Sequence, residues 1–184
     1  MQYEIEDPEV QMLATIASTL RSDYDEAPDD PWTGSPFAWI RTRPSRQRGK
    51  IGEQLVAGWC AAKGLDVTSS RDSEADRVIA GRRVEIKFST LWKSGIYKFQ
   101  QFREQDYEFA ICLGISPLDA HCWVISKEVL RQYVIGHTPQ HTGRGGTDTF
   151  WLSVKPAEPH PWLAACGGRL AAAYEILRRW QDTR

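Results

Sequence analysis

The most constraining feature of the sequence is residues 76–88, Asp-Arg-Val-Ile-Ala-Gly-Arg-Arg-Val-Glu-Ile-Lys-Phe. Two runs carrying Val and Ile flank a Gly-Arg pair, and glycine at the first central position suits a two-residue type II′ hairpin turn. With Gly81 and Arg82 at the turn, Ala80 is expected opposite Arg83, Val78 opposite Glu85 and Asp76 opposite Lys87. Opposed residues share a face, as do residues two apart on one strand, so Asp76, Glu85 and Lys87 are expected on one side of the hairpin. Ile79, Val84, Ile86 and Phe88 then point the other way, into a core.

The rest of the chain reads as a mixed α/β domain. Residues 49–63 place Ile51, Leu55, Val56 and Trp59 on one stripe and stop at Gly64, which predicts a helix closed by a C-terminal glycine. Strands are expected at 65–69, 76–80 and 83–88, a short helix within the polar, aromatic stretch 92–106, and strands again at 107–115 and 121–125. A helix over 126–134 has Ser126 as its cap and Glu128 in its first turn. A glycine-rich loop at 136–149, a short strand at 150–154 and a closing helix at 163–181 complete the order. Ahead of all this, Val10, Leu13, Ile16 and Leu20 recur at helical spacing after Asp7-Pro8, and Asp, Pro, Gly and Ser collect at 22–36 in a linker. The expected division is an acidic N-terminal helix and linker over 1–36 and one folded domain over 37–184, since 184 residues are too few for two complete domains.

Charge separates these parts. The formal net charge of −1 hides nine acids against one base in residues 1–30, a segment charge of −8, beside 22 bases and 15 acids in the remainder, or +7. An acidic arm joined to a basic domain points to a polyanionic partner, or to a solubilising tail on an ordinary enzyme. The arm is expected to pack on a partner subunit or to shield the basic surface. Cys60, Cys112, Cys122 and Cys166 lie far apart with no close pair of the kind that nucleates a zinc site, and read as buried thiols in a reducing cytosol. No apolar stretch approaches the roughly 20 residues that span a bilayer. A soluble cytoplasmic protein with no membrane partner is therefore expected.

Two carboxylates and an ammonium grouped at one end of a hairpin have a clear chemical use. Hard divalent cations such as Mg2+ take carboxylate and carbonyl oxygens and keep several waters, and Asp76, Glu85 and the backbone carbonyl of Ile86 make such a set. The alternative is a surface ion pair between Asp76 and Lys87 on a solvated sheet face. Glu53, on the preceding helix beside a basic run, adds a further acid. The pattern Asp76…Glu85-Ile86-Lys87, with Glu53 ahead of it, resembles the PD-(D/E)XK nuclease superfamily, most closely its type II restriction endonucleases, over roughly residues 49–125. The resemblance implies a restriction-endonuclease-like mixed β-sheet flanked by helices, here with an N-terminal helical arm. It implies that Asp76 and Glu85 bind metal, that Glu53 does so directly or through water, and that Lys87 is the catalytic lysine. Ala75 stands where the motif's name has proline. Asp72 and Glu74 are near enough to compete with Asp76, but Glu74 would lie one step further from Glu85.

The surroundings suit a phosphate-bearing ligand. Arg41, Arg43, Arg46, Arg48 and Lys50 precede the Glu53 helix with no acid among them, and bases at a helix start oppose its dipole, so helix stability does not explain them. Binding a DNA backbone does. Residues 92–103 interleave Trp92, Tyr97, Phe99 and Phe102 with Lys93, Lys98 and Arg103. Phe99 and Phe102, three apart, can equally face a core from a short helix. Gln100, Gln101 and Gln105 are candidates to hydrogen-bond bases or the attacking water. In the loop 136–149, Pro139 between His137 and His141 argues against a helical ligand pair, while Arg144 is a candidate groove contact or part of an inert loop.

The expected activity is Mg2+-dependent hydrolysis of DNA phosphodiester bonds, with Mn2+ as a substitute metal, in sequence-specific double-strand cleavage. Cutting both strands of double-stranded DNA calls for a homodimer. A restriction role calls for a cognate DNA methyltransferase. Two other readings keep the fold: a repair or recombination nuclease, and a non-catalytic DNA-binding subunit of a larger defence complex.

Overall fold

Alternating burial makes the strands of this protein, and one tightly packed glycine sets the helix against them. The structure is a computed structural model that describes residues 11, 12, 14–16, 30–139 and 148–182. The chain divides into two compact units, Met1–Thr33 and Gly34–Arg184. In the first, residues 11, 12 and 14–16 are helical, within the helix expected at 8–20, and the remainder of that expectation lies outside the described residues, as does most of the acidic arm.

The second unit opens with α1 (Ala38–Arg41) and α2 (Ser45–Ala62). Helix α2 ends as its sequence foretells: Gly64 adopts φ 79°, its N–H bonds the Ala61 carbonyl, and the Leu65 N–H reaches back to the Cys60 carbonyl. Strands β1 (Val67–Ser69), β2 (Arg77–Ile79) and β3 (Arg82–Thr90) form an antiparallel meander. Strand β4 (Tyr97–Phe102) leaves this sheet, and β5 (Phe109–Ile115) returns to pair in parallel with β3. Antiparallel β6 (Ala120–Ser126) follows, then α3 (Lys127–Tyr133), β7 (Phe150–Val154), a 3-10 turn (Pro161–Cys166), β8 (Gly167–Arg169) and α4 (Leu170–Asp182). The main sheet runs β1-β2-β3-β5-β6-β8, and β4 and β7 form a separate two-stranded ribbon.

Each face of the sheet has its own cover. Val84, Ile86, Ile111 and Val124 are buried on the side of α2 and α4, where Phe109 and Trp180 rings meet at 4.3 Å. The other face carries Ala110, Cys112, Trp123 and Ile125 against Tyr97, Phe99, Phe102, Phe150, Leu152 and Val154 of the ribbon, and against Leu130 and Val134. All four cysteines are buried free thiols. Among the described residues no helix is long and apolar enough to cross a membrane.

Three expectations need correction. The hairpin turn is Ala80-Gly81, not Gly81-Arg82: both residues have positive φ, 48° and 80°, the type I′ pattern whose twist suits paired strands. The register therefore reads Arg77↔Val84, Val78↔Arg83 and Ile79↔Arg82. This moves the pairing by two residues, so every side chain keeps its expected face. The helix expected within 92–106 is instead β4. Gln101, at φ 61°, inserts an irregularity between Phe99 and Phe102, and this extra residue turns the strand spacing of two into the three that mimics a helix. The closing helix begins at Leu170 rather than 163, because Gly167 (φ 118°) and Gly168 (φ 115°) form β8 first.

Gly52 fixes how closely α2 approaches β3. A Cβ there would lie 2.3 Å from the Phe88 Cβ, whereas one on Gly58 of the same helix would meet nothing within 4 Å. Gly52→Ala is expected to destabilise the fold by about 1–3 kcal/mol through overpacking, and Gly58→Ala to stabilise it by about 0.5–1 kcal/mol. Denaturant melts of the two variants check the contrast.

Candidate active site

The candidate site lies where β2 departs from β3. Beyond Arg77 the ladder continues only through Asp76, whose N–H bonds the Val84 carbonyl at 2.9 Å and whose Oδ2 accepts the Ile86 N–H at 2.7 Å. The carboxylate thus takes the place of a strand partner for Ile86. In an extended strand the N–H and C=O of one residue point to the same edge, so the Ile86 carbonyl also faces the Asp76 side. The register continues to set Asp76 beside Glu85 on the face that carries Lys87.

Lys87 is held on two sides. Its Nζ donates to Glu85 Oε1 at 2.6 Å and to the Gln101 carbonyl at 2.7 Å, and it lies 5.6 Å from the centre of the Phe102 ring. The side chains of Lys87 and Glu85 are only 11% and 13% exposed. An ammonium has three donors, so one is left for the open side. Burial pushes the carboxyl of Asp76 above the ordinary carboxylate range; the Ile86 N–H opposes the rise and the charge of Glu53 adds to it. Burial likewise pushes Glu85 up, with Lys87 opposing and Asp76 adding.

Glu53 arrives from α2, on the opposite face of the sheet. Its Oε2 sits 2.8 Å from Lys50 Nζ and 3.5 Å from Arg77, whose own guanidinium also donates to the Asp76 carbonyl at 2.6 Å. Among the described residues no three His, Cys, Asp or Glu side chains are gathered as a metal-binding group. Lys50 and Arg77 both meet Oε2 of Glu53, and Lys87 meets Oε1 of Glu85. What remains is a half-buried carboxylate pair, Asp76 and Glu85, in which the charge of Asp76 adds to the rise at Glu85 while a hydrogen bond from Glu85 opposes the rise at Asp76, next to a backbone carbonyl. That donor set fits Mg2+, which usually takes one or two protein carboxylates and completes its shell with water and substrate oxygens. The competing acids are committed elsewhere: Asp72 pairs with Arg83 at 2.8 Å, which holds its carboxyl below the usual range, and Glu74 accepts the Asp106 N–H.

A cleft of about 900 Å3 opens beside the carboxylate pair, reaching Glu53, Ile86 and Lys87 but not Asp76 or Glu85 themselves. Ser45, Arg46, Arg48 and Lys50, at the start of α2, form one wall, and Glu53 and Lys87 lie at its base. Trp92, Lys98, Gln100 and Gln101 form the opposite wall. Arg41, Arg43, Lys93 and Arg103 lie outside this lining; Arg43 stacks over the half-exposed Trp39 ring at 5.9 Å. Arg144 falls outside the described residues. Tyr97, Phe99 and Phe102 are fully buried, whereas Trp92 is 46% exposed. Gln105 bonds the Ser73 carbonyl, away from the cleft. Sequence reasoning overlooked Trp151, whose ring lies 4.8 Å from Lys98 Nζ; only its alternation with Phe150 and Leu152 marked it as outward-facing.

A second hollow, about 630 Å3, lies beside Glu104, Lys127 and Arg131. Its charges answer one another: Arg131 and Lys127 meet Glu104 at 2.6 and 3.1 Å, and Lys127 also donates to the Gln105 carbonyl and lies over Tyr107. The cleft, with its excess of cations beside Glu53 and next to the Asp76–Glu85 pair, is the chemically poised site.

A carboxyl raised by folding contributes stability below its unfolded value, ordinarily 3.8 for Asp, and loses it as pH rises through the folded value. Asp76→Asn keeps an acceptor for Ile86 and removes the buried charge. In chelator the variant is expected to melt roughly 2–4 °C above wild type near pH 7.5, for about 1 kcal/mol in a chain of this size, with the gap closing towards pH 4. Added Mg2+ should raise only the wild-type melting temperature. Melts that coincide at every pH would show that burial of this charge costs nothing.

No family model and no curated protein matches the chain. A solved structure of a bacterial homing endonuclease, I-Ssp6803I, aligns with a TM-score of 0.49 and 19% identity, covering 76% of this chain and 96% of that one.

Proposed function

We propose that this protein is a metal-dependent endonuclease of the PD-(D/E)XK type that hydrolyses DNA phosphodiester bonds. The single observation that carries the reading is the half-buried Asp76–Glu85–Lys87 cluster, whose Lys87 lines a cleft with a cationic wall. In this reading Asp76, Glu85 and the Ile86 carbonyl hold Mg2+, or Mn2+ in its place, and Glu53 joins once it leaves Lys50 and Arg77. The bound metal would polarise a phosphoryl oxygen and make a coordinated water more acidic.

The chain's own groups supply the rest. Lys87, steered by Glu85 and the Gln101 carbonyl, points its free donor at the scissile phosphate and offsets the negative charge that builds there. Arg46, Arg48 and Lys50 neutralise backbone phosphates at the N-terminus of α2, where free N–H groups already favour anions. One chain offers one such cleft, so cleavage of both strands calls for a homodimer. A sequence-specific restriction role further calls for a cognate DNA methyltransferase.

Digestion of plasmid DNA with Mg2+ tests the proposal. Discrete fragments are expected from wild type, none in EDTA, and at least a 100-fold slower rate from Lys87→Met and Asp76→Asn. Gel-shift affinity of Lys87→Met measured without metal should stay close to wild type. Cutting confined to branched or mismatched DNA would assign the protein to repair or recombination. Duplex binding with no metal-dependent cutting of any substrate would leave a non-catalytic DNA-binding subunit.

A further inference from the structure

We propose that the outward face of the β4–β7 ribbon reads base edges in the major groove of duplex DNA, with Lys98 and Gln100 as the reading side chains. The inference rests on the DNA reading of the cleft and adds to it the element that chooses the sequence.

Burial assigns the two faces of the ribbon. Tyr97, Phe99 and Phe102 of β4, and Phe150, Leu152 and Val154 of β7, point into the core. Lys98 and Gln100 therefore point outward from β4, and Trp151 and Ser153 from β7, with Lys98 paired to Ser153. A two-stranded antiparallel ribbon is one of the two elements that a major groove about 12 Å wide admits. The inner face, packed on Trp123 with edge-on contacts from Tyr97 and Phe99 at 6.2 and 6.1 Å, gives that ribbon a rigid backing.

The spacing of the outward side chains suits the task. Residues two apart on a strand stand about 7 Å apart, which is two steps of a duplex rising about 3.4 Å per base pair. A glutamine amide matches the paired donor and acceptor of adenine, and a lysine ammonium the two acceptors of guanine. Lys98 is already fixed: its Nζ lies 4.3 Å from the Trp92 ring and 4.8 Å from the Trp151 ring. A flexible surface lysine loses rotamer freedom on binding, whereas one clamped between two indoles has lost it beforehand.

The bulge ties reading to chemistry. Gln101, next to Gln100, takes a left-handed φ of 61° and aims its carbonyl at Lys87 Nζ. The reading strand is thereby hydrogen-bonded to the lysine at the base of the cleft, which sets one fixed offset between the bases contacted and the phosphate presented to Asp76 and Glu85.

Selection of bound duplexes from a random-sequence library, without metal and followed by sequencing, tests this. Wild type is expected to enrich a motif. Gln100→Ala should lower discrimination at one base pair about tenfold, and Lys98→Ala should do so about two base pairs away. Arg48→Ala should weaken all duplexes alike and enrich the wild-type motif. Enrichment of the same motif by Gln100→Ala and Lys98→Ala, both folded by their melting curves, would overturn the inference while leaving the nuclease reading intact. So would duplex binding by wild type with no preference. Failure of wild type to bind any duplex would overturn the DNA reading itself.

Discussion

A single hydrogen bond, from the Ile86 N–H to the Asp76 carboxylate, joins the fold of this protein to its chemistry. Beyond Arg77 the strand β2 stops pairing with β3, and the exposed edge of β3 needs an acceptor there. Asp76 supplies it with a side chain instead of a carbonyl. That substitution places a negative charge in a half-buried position where ordinary sheet would have none. Burial of that charge raises the proton affinity of Asp76, Glu53 adds to the rise, and Asp76 in turn adds to the rise that burial gives Glu85.

Much of this was legible in the sequence because strand periodicity is robust. The face shared by Asp76, Glu85 and Lys87 survives an error of two residues in register, since a shift of two returns each side chain to the same side. Gly64 and Ser126 announced their helix boundaries through chemistry specific to caps. What stayed hidden depended on single residues in unusual backbone conformations. Ala80 at positive φ moved the turn by one position, and Gln101 at positive φ disguised a strand as a helix. Neither residue type advertises that conformation, because only the tertiary surroundings compel it. The i,i+3 spacing of Lys50 and Glu53 was visible, yet nothing in one sequence says that Arg77 comes to the same carboxylate from another strand.

The charge pattern gains a finer grain in three dimensions. The basic run 41–50 does not act as one block: Arg46, Arg48 and Lys50 line the cleft, while Arg41 and Arg43 fall outside its lining. Geometry, and not the continuity of the run, decides which of these bases reach the cleft.

Chain order adds a consequence for how the molecule is made. The hairpin β2–β3 and the cluster it carries are complete in sequence by residue 101, whereas the ribbon needs β7, and its register joins Tyr97 to Val154. Closing a loop of that length is slower than closing a hairpin. A partly synthesised chain therefore carries the acidic cluster and Lys87 before it has the second strand that stiffens the wall beside them. The wall beside Lys87 is thus the last part of the cleft to gain its partner strand.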